Sequence, residues 1–268
     1  MDDIATCKRP NPHARLRLFC FPSAGGAGSV YTSWSDKLPA DVLRETELWS
    51  VRLPGREPSR TKPLYTELPS LLAALSPAIT SRLTPSYAFF GHSMGALVCF
   101  ELARALRSQG AIGPAHMIVS GHRAPGLPDR HRPVHKLPDI AIVAKLRRLG
   151  GTPDGVLENP ELMEMYLPLL RADFAVCETY VYEHREPLEC SVTALGGTDD
   201  PQVSREDLAA WRAHTRGSFS FHMFPGSHFY LQDAQSLVLP VLAQDLRRVL
   251  RRLRQDQHGL SRGLPGSP

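Results

Sequence analysis

The pentapeptide Gly91-His92-Ser93-Met94-Gly95 has the G-x-S-x-G spacing that serves an activated serine. In this pattern the serine sits in a turn so tight that only small residues fit beside it. Its hydroxyl is carried to a helix N-terminus, where free N–H groups and the helix dipole favour negative charge. The context matches: an apolar run, Tyr87-Ala88-Phe89-Phe90, precedes it, and a stretch rich in Ala and Leu, 94–107, follows. The chemistry this supports is attack by the Ser93 hydroxyl on an acyl carbon, for which serine needs a general base.

Acid and base are expected downstream, in loops after later strands and in the order serine, acid, histidine. Two loops meet that order, Gly196-Gly197-Thr198-Asp199-Asp200-Pro201 and Pro225-Gly226-Ser227-His228-Phe229. His228 would take the Ser93 proton and return one to the leaving group, while an aspartate fixes its tautomer. Two aspartates compete. Asp200 is preferred because Asp-Pro closes the strand loop and Pro201 can open the next segment, leaving Asp199 as a turn or cap residue. The reaction's oxyanion needs two backbone donors. One is the N–H of Met94, just after the serine. The other comes from the loop Phe21-Pro22-Ser23-Ala24-Gly25-Gly26, where Ala24 is nominated. That loop lacks the spacing of a phosphate-binding or dinucleotide-binding turn. His92 is the variable residue of the pentapeptide, and His122, His131 and His135 have no metal-ligand spacing, so no metal is expected.

These loops must be carried by regular elements. Strand-like runs at 16–21, 48–53, 87–90, 116–120, 191–195 and 218–224 alternate with helix-like segments at 66–83, 94–107, 204–215 and 234–254. Continuously apolar strands between helices indicate an α/β protein with a parallel sheet covered on both faces. The rhythm breaks over 123–188. That stretch opens with a Pro-, His- and Arg-rich loop, Arg123 to Pro138, and continues as helix-like segments near 138–149 and 160–183. One core is therefore expected over 1–122 and 189–254, with an insert over 123–188. Residues 255–268, with three glycines and two prolines, read as a frayed, flexible tail.

Composition bounds the rest. The chain has 268 residues, enough for a full core without disulfide or metal staples. With 42% hydrophobic and 22% charged residues, a disordered or fibrous protein is excluded. No apolar run approaches the roughly 18 residues that span a bilayer, and Met1-Asp2-Asp3-Ile4 has neither a basic nor an apolar signal region. Five cysteines without CxxC spacing argue against a disulfide framework or zinc site and fit a reducing, cytoplasmic compartment. The net charge is +4, and five arginines crowd residues 247–254. No nucleic-acid motif accompanies them, so they read as the solvated end of a helix.

Four motifs occur in order: Phe21-Pro22-Ser23-Ala24-Gly25-Gly26, Leu53-Pro54-Gly55-Arg56, Gly91-His92-Ser93-Met94-Gly95 and Gly226-Ser227-His228-Phe229. Together they resemble the type II thioesterases that accompany modular polyketide synthases and nonribosomal peptide synthetases, over about residues 15 to 250. The resemblance implies an α/β-hydrolase fold, with 123–188 as a helical lid. It implies hydrolysis of short, stalled acyl groups from the phosphopantetheine arm of acyl or peptidyl carrier proteins, without a cofactor. Nucleophile, acid and base then fall on Ser93, Asp200 and His228, and oxyanion donors on Ala24 and Met94. An acyl pocket is expected under the lid, with Met163, Tyr166 and Leu170 among its apolar residues, although such residues equally serve to pack the lid onto the core. Carrier proteins are typically acidic, so lid arginines such as Arg130, Arg132, Arg147 and Arg148 would favour docking. A monomer is expected, with no membrane or nucleic-acid partner. The competing readings are a medium-chain acyl thioesterase, a small-molecule carboxylesterase and a non-catalytic carrier-protein binder.

Overall fold

The computed structural model describes residues 4–56, 63–84, 86–128 and 130–262, with side chains to residue 256. The first three residues and 263–268 of the expected tail lie outside the described residues. Seven strands, β1 (Ala5–Cys7), β2 (Leu16–Phe21), β3 (Thr46–Val51), β4 (Tyr87–His92), β5 (His116–Ser120), β6 (Ser191–Gly197) and β7 (Phe219–Phe224), form one sheet in the order β1-β3-β2-β4-β5-β6-β7. Every neighbouring pair is parallel except β1 with β3. The helices are α1 (Trp34–Lys37), α2 (Ala40–Leu43), α3 (Leu68–Thr80), α4 (Met94–Ser108), α5 (Asp139–Leu149), α6 (Asp154–Leu157), α7 (Pro160–Glu178), α8 (Arg205–Ala209), α9 (Tyr230–Asp233) and α10 (Gln235–Arg262).

The uninterrupted apolar strands have the origin the sequence suggests, because both sheet faces are buried and successive side chains alternate between them. From β2 and β4, Phe19, Phe21, Tyr87 and Phe89 join α3, α4 and Trp211 on one face. Leu16, Leu18, Ala88 and Phe90 join Tyr31, Trp34 and α10 on the other. Phe90 is met edge-on by Tyr31 and Trp34, with ring centroids at 5.5 and 4.9 Å.

Between β5 and β6 the chain leaves the sheet and builds α5, α6 and α7. Helix α7 starts where its residues dictate: the Asn159 side chain accepts the Leu162 N–H at 3.1 Å, and Pro160 occupies the first turn. These helices bury a cluster of their own, including Ile142, Leu146, Met163, Leu170 and Phe174, against which Ala24 packs. The segment thereby sits over the loop that follows β2.

Two expectations need correction. The helix read over 204–215 is α8 followed by a tighter 3-10 stretch, Ala210–His214. The tail is not frayed from residue 255, since α10 continues to Arg262, and both tail prolines come later. Most of the arginines preceding it are exposed, and two of them also make ion pairs, Arg247 with Asp41 at 2.7 Å and Arg254 with Glu45 at 3.4 Å. These pairs reach α2 and the turn after it from a helix end that is otherwise solvated.

Candidate active site

The loops carrying the candidate residues leave the C-terminal ends of β2, β4, β6 and β7, so the parallel sheet delivers them to one edge. Between β4 and α4, Ser93 adopts φ 54° and ψ −120°. It is the only non-glycine residue at positive φ among the described residues. Such a conformation persists where its surroundings enforce it. Here the Ser93 N–H donates to the Ser120 carbonyl at 2.7 Å. A Cβ on Gly91 would stand 2.1 Å from the Gly95 carbonyl oxygen, and one on Gly95 2.3 Å from that of Phe21. Backbone approach therefore requires both glycines.

Ser93 Oγ lies 2.9 Å from His228 Nε2, and His228 Nδ1 lies 2.8 Å from Asp200 Oδ2. The second Asp200 oxygen accepts the Gln202 N–H at 2.8 Å, which fixes the carboxylate plane. The His228 and Asp200 side chains are 2% and 0% exposed, so the contact is shielded from water. Asp199 is exposed and its carboxylate accepts the Thr198 hydroxyl at 3.0 Å. Of the two aspartates, the structure brings Asp200 to His228.

Met94 opens α4, and its N–H is among those that helix geometry leaves without an intrahelical partner. Ala24 and Met94 line the same cavity as Ser93 and His228, a chamber of about 110 Å³ walled also by Leu146, Leu149, Phe174 and Phe229. Met163, Tyr166 and Leu170 are not in that wall. They line an adjoining cavity of about 770 Å³ that shares Ala24, Leu146 and Phe229 with it. Met163 and Leu170 are buried, whereas Tyr166 is exposed.

A thioesterase-domain family model matches residues 16–246. The chain belongs to the thioesterase family. It is 44% identical over 240 residues to the linear gramicidin dehydrogenase LgrE of Brevibacillus parabrevis, covering 88% of this chain and 90% of that one. It is 42% identical over 240 residues to the gramicidin S biosynthesis protein GrsT of Aneurinibacillus migulanus, covering 90% and 92%. Among solved structures, the type II thioesterase BorB from the borrelidin biosynthetic cluster superposes with a TM-score of 0.81 at 36% identity, over 91% of this chain and 98% of that one. These similarities make the protein a thioester hydrolase of the type II thioesterase group, with the α/β-hydrolase fold. The dehydrogenase activity in the first relative's name finds no dinucleotide fingerprint in the turn after β2.

Behind the reacting face of this thioesterase lies a buried polar chain that spacing alone does not disclose. His92 Nδ1 is 2.9 Å from Ser120 Oγ, which is 2.5 Å from Tyr230 Oη. The His92 ring packs 5.2 Å from that of His228. Burial, and then the neighbouring His228, pushes His92 well below the usual imidazole range, so it stays neutral. The sequence shows only that Ser120 is a polar residue ending the apolar run Met117-Ile118-Val119, which does not point to His92 or Tyr230. Of the histidines in the connecting segment, His135 Nδ1 sits 2.8 Å from Glu178, which also pairs with Lys145 at 2.8 Å. Among the described residues, no group of three or more His, Cys, Asp or Glu side chains could hold a metal ion. No helix among them is long and apolar enough to cross a membrane.

Proposed function

We propose that this thioesterase hydrolyses short acyl groups from the phosphopantetheine arm of acyl or peptidyl carrier proteins, clearing chains that stall a polyketide or peptide assembly line. Ser93 acts as nucleophile, His228 as general base and then acid, and Asp200 as the residue that orients and stabilises the imidazolium. Ser93 Oγ attacks the thioester carbon as its proton passes to His228 Nε2. The carbonyl oxygen becomes an oxyanion held by the N–H groups of Ala24 and Met94. Collapse expels the pantetheine thiolate, which takes the proton from His228 and leaves an acyl-serine. Water, deprotonated by the same histidine, then attacks the acyl carbon, and cleavage of the bond to Ser93 Oγ frees the acid as His228 returns the proton to that oxygen. A thioester is activated enough for this without a metal or cofactor. Cysteines that show no CxxC spacing support a cytosolic setting.

The observation that carries this reading is the 2.9 Å contact between Ser93 Oγ and His228 Nε2 inside a chamber of only about 110 Å³. That volume is below the ~150 Å³ of a cavity that takes benzene, so it suits a few carbons. We also propose that the helices of 123–188 form a lid, because α5 and α7 supply the chamber's Leu146, Leu149 and Phe174. The adjoining 770 Å³ cavity favours a second reading, release of medium-length chains. Hydrolysis of acetyl, propionyl, butyryl and octanoyl carrier proteins by the native enzyme and Ser93→Ala decides. Turnover of the short loads that vanishes in the variant is expected, and preference for octanoyl establishes the second reading. Activity on oxygen esters with none on carriers would make it a carboxylesterase. Silence on all substrates from the folded protein would make it a carrier-protein binder.

A further inference from the structure

The motif Leu53-Pro54-Gly55-Arg56 has no part in the reaction described so far, yet Arg56 is buried at 8% exposure. Its guanidinium donates to the Pro54 carbonyl at 3.2 Å and, through Nη2, to Asp173 Oδ2 on α7. The same carboxylate oxygen accepts the N–H of Gly25 at 2.7 Å. One buried oxygen of α7 thus ties together the loop after β3 and the loop after β2.

What this holds is the peptide geometry around Ala24. The Ala24 N–H shares a planar peptide unit with the Ser23 carbonyl, and that carbonyl accepts the Gly26 N–H at 2.9 Å. The next peptide unit, Ala24 to Gly25, is fixed by the Gly25 N–H on Asp173. Both planes flanking the Ala24 Cα are therefore pinned, and the direction of its N–H with them. Helix α7 also presses on the loop: Gly25 has φ +68°, and a Cβ there would stand 2.6 Å from Leu170 Cδ2.

We propose that Arg56 and Asp173 are positioning residues that aim the Ala24 N–H at the oxyanion, making its placement depend on the seating of α7. This rests on the reading above that Ala24 is an oxyanion donor. Stability alone is a poor reason for the pair, since burying two charges costs as much as their attraction returns. Arg56 Nε, moreover, has no hydrogen-bond partner among the described residues. Burial by itself raises the pKa of Asp173, and Arg56 opposes that rise by favouring the charged carboxylate.

The test uses the full chain and a propionyl-loaded carrier protein, with Asp173→Ala, Arg56→Met, the near-isosteric Asp173→Asn and the charge-conserving Arg56→Lys. Kinetic constants are read beside thermal melts and the affinity of a short alkyl trifluoromethyl ketone, whose serine adduct places an alkoxide in the oxyanion position. Asp173→Ala and Arg56→Met are expected to lower kcat about ten- to a hundredfold, the scale of a misplaced reacting group, with KM nearly unchanged. Ketone affinity should fall in step with kcat/KM. Asp173→Asn, which keeps an acceptor for Gly25 N–H, and Arg56→Lys, which keeps the charge, should each recover part of the loss. A rise in KM at unchanged kcat would overturn the proposal, as would a kcat loss with ketone affinity per folded molecule intact. If Asp173→Ala and Arg56→Met do not fold, full activity and ketone affinity in Asp173→Asn and Arg56→Lys together would also overturn it. Persistent turnover in Ser93→Ala would instead bring down the catalytic reading beneath it.

Discussion

Asp199 and Asp200 show how much a single backbone direction decides. The two carboxylates are adjacent in sequence, but the Asp199 N–H is engaged by the Gly226 carbonyl at 3.0 Å and its side chain turns to Thr198. Asp200 faces inward to His228 Nδ1. Replacing Asp200 by Asn keeps the shape but presents an amide where the imidazole needs a carboxylate, so kcat on a propionyl carrier should fall by roughly 10³–10⁴. Asp199→Asn should leave kcat within about twofold, as expected of an exposed turn residue. Equal losses in the two variants would count against this assignment. Ser93 and His228 are legible in the sequence because each stands in a motif whose spacing follows from a tight turn. The choice of Asp200 over Asp199 has only Pro201 behind it, and the deciding hydrogen bonds come from the loop after β7, where Gly226 lies 27 residues from Asp199 and His228 lies 28 from Asp200. His92 illustrates the opposite case: a variable motif position whose buried contacts with Ser120 and His228 no local pattern reveals.

At the scale of elements, the strands are readable because β2, β4 and β5 carry contiguous apolar runs, Leu18 to Phe21, Tyr87 to Phe90 and Met117 to Val119, a consequence of burial on both faces. Strand β1 and helices α1 and α2 are not, since three or four residues are too few for a period to register. They are held by tertiary packing: Trp34 of α1 closes over Phe90. Phe90→Ala should therefore cost about 3–5 kcal/mol, measured by denaturant unfolding, because it empties the contact between sheet and helix layer. Helix α10 is held from inside as well, by Asp245, 3.4 Å from His116 of β5 and 2.8 Å from Arg248. Burial alone would raise this carboxyl's pKa, but His116, Thr193 and Arg248 together hold it below the ordinary carboxylate range. Its charged form then contributes stability that is present above the unfolded pKa of about 3.9 and is lost as pH falls through the lower native value. Asp245→Asn should lower Tm near neutrality, with the gap to the native protein closing as pH falls below about 4. A gap that stays constant down to pH 2 would show that the charge of Asp245 has no such effect.

Across the whole molecule, the proposed activity requires that the surface above Ser93 and His228 meet a carrier protein before chemistry starts. The net charge of +4 favours an acidic partner, and the position of the charge matters more than its sum. Arg130, one of the arginines expected to aid docking, is engaged by Asp207 at 3.1 Å. Arg147 and Arg148 are exposed in the last turn of α5, a few residues before Gly151, Thr152 and Pro153 at the wall of the 770 Å³ cavity. Exposed apolar side chains, Met165 and Tyr166 on α7, stand in the same helical segment. A basic rim beside apolar contacts is the arrangement that steers an acidic domain and then holds it. The double variant Arg147→Glu with Arg148→Glu should raise KM for an acyl carrier protein roughly three- to tenfold, and the effect should shrink as ionic strength rises and the Debye length falls below about 10 Å. Turnover of the same acyl group on a small pantetheine thioester should be unchanged, because neither arginine lines the chamber of Ser93. Equal losses on both substrates would mean that the substitutions disturb the packing of α5 rather than the encounter. Unchanged KM on the carrier would place the docking face elsewhere, away from the end of α5.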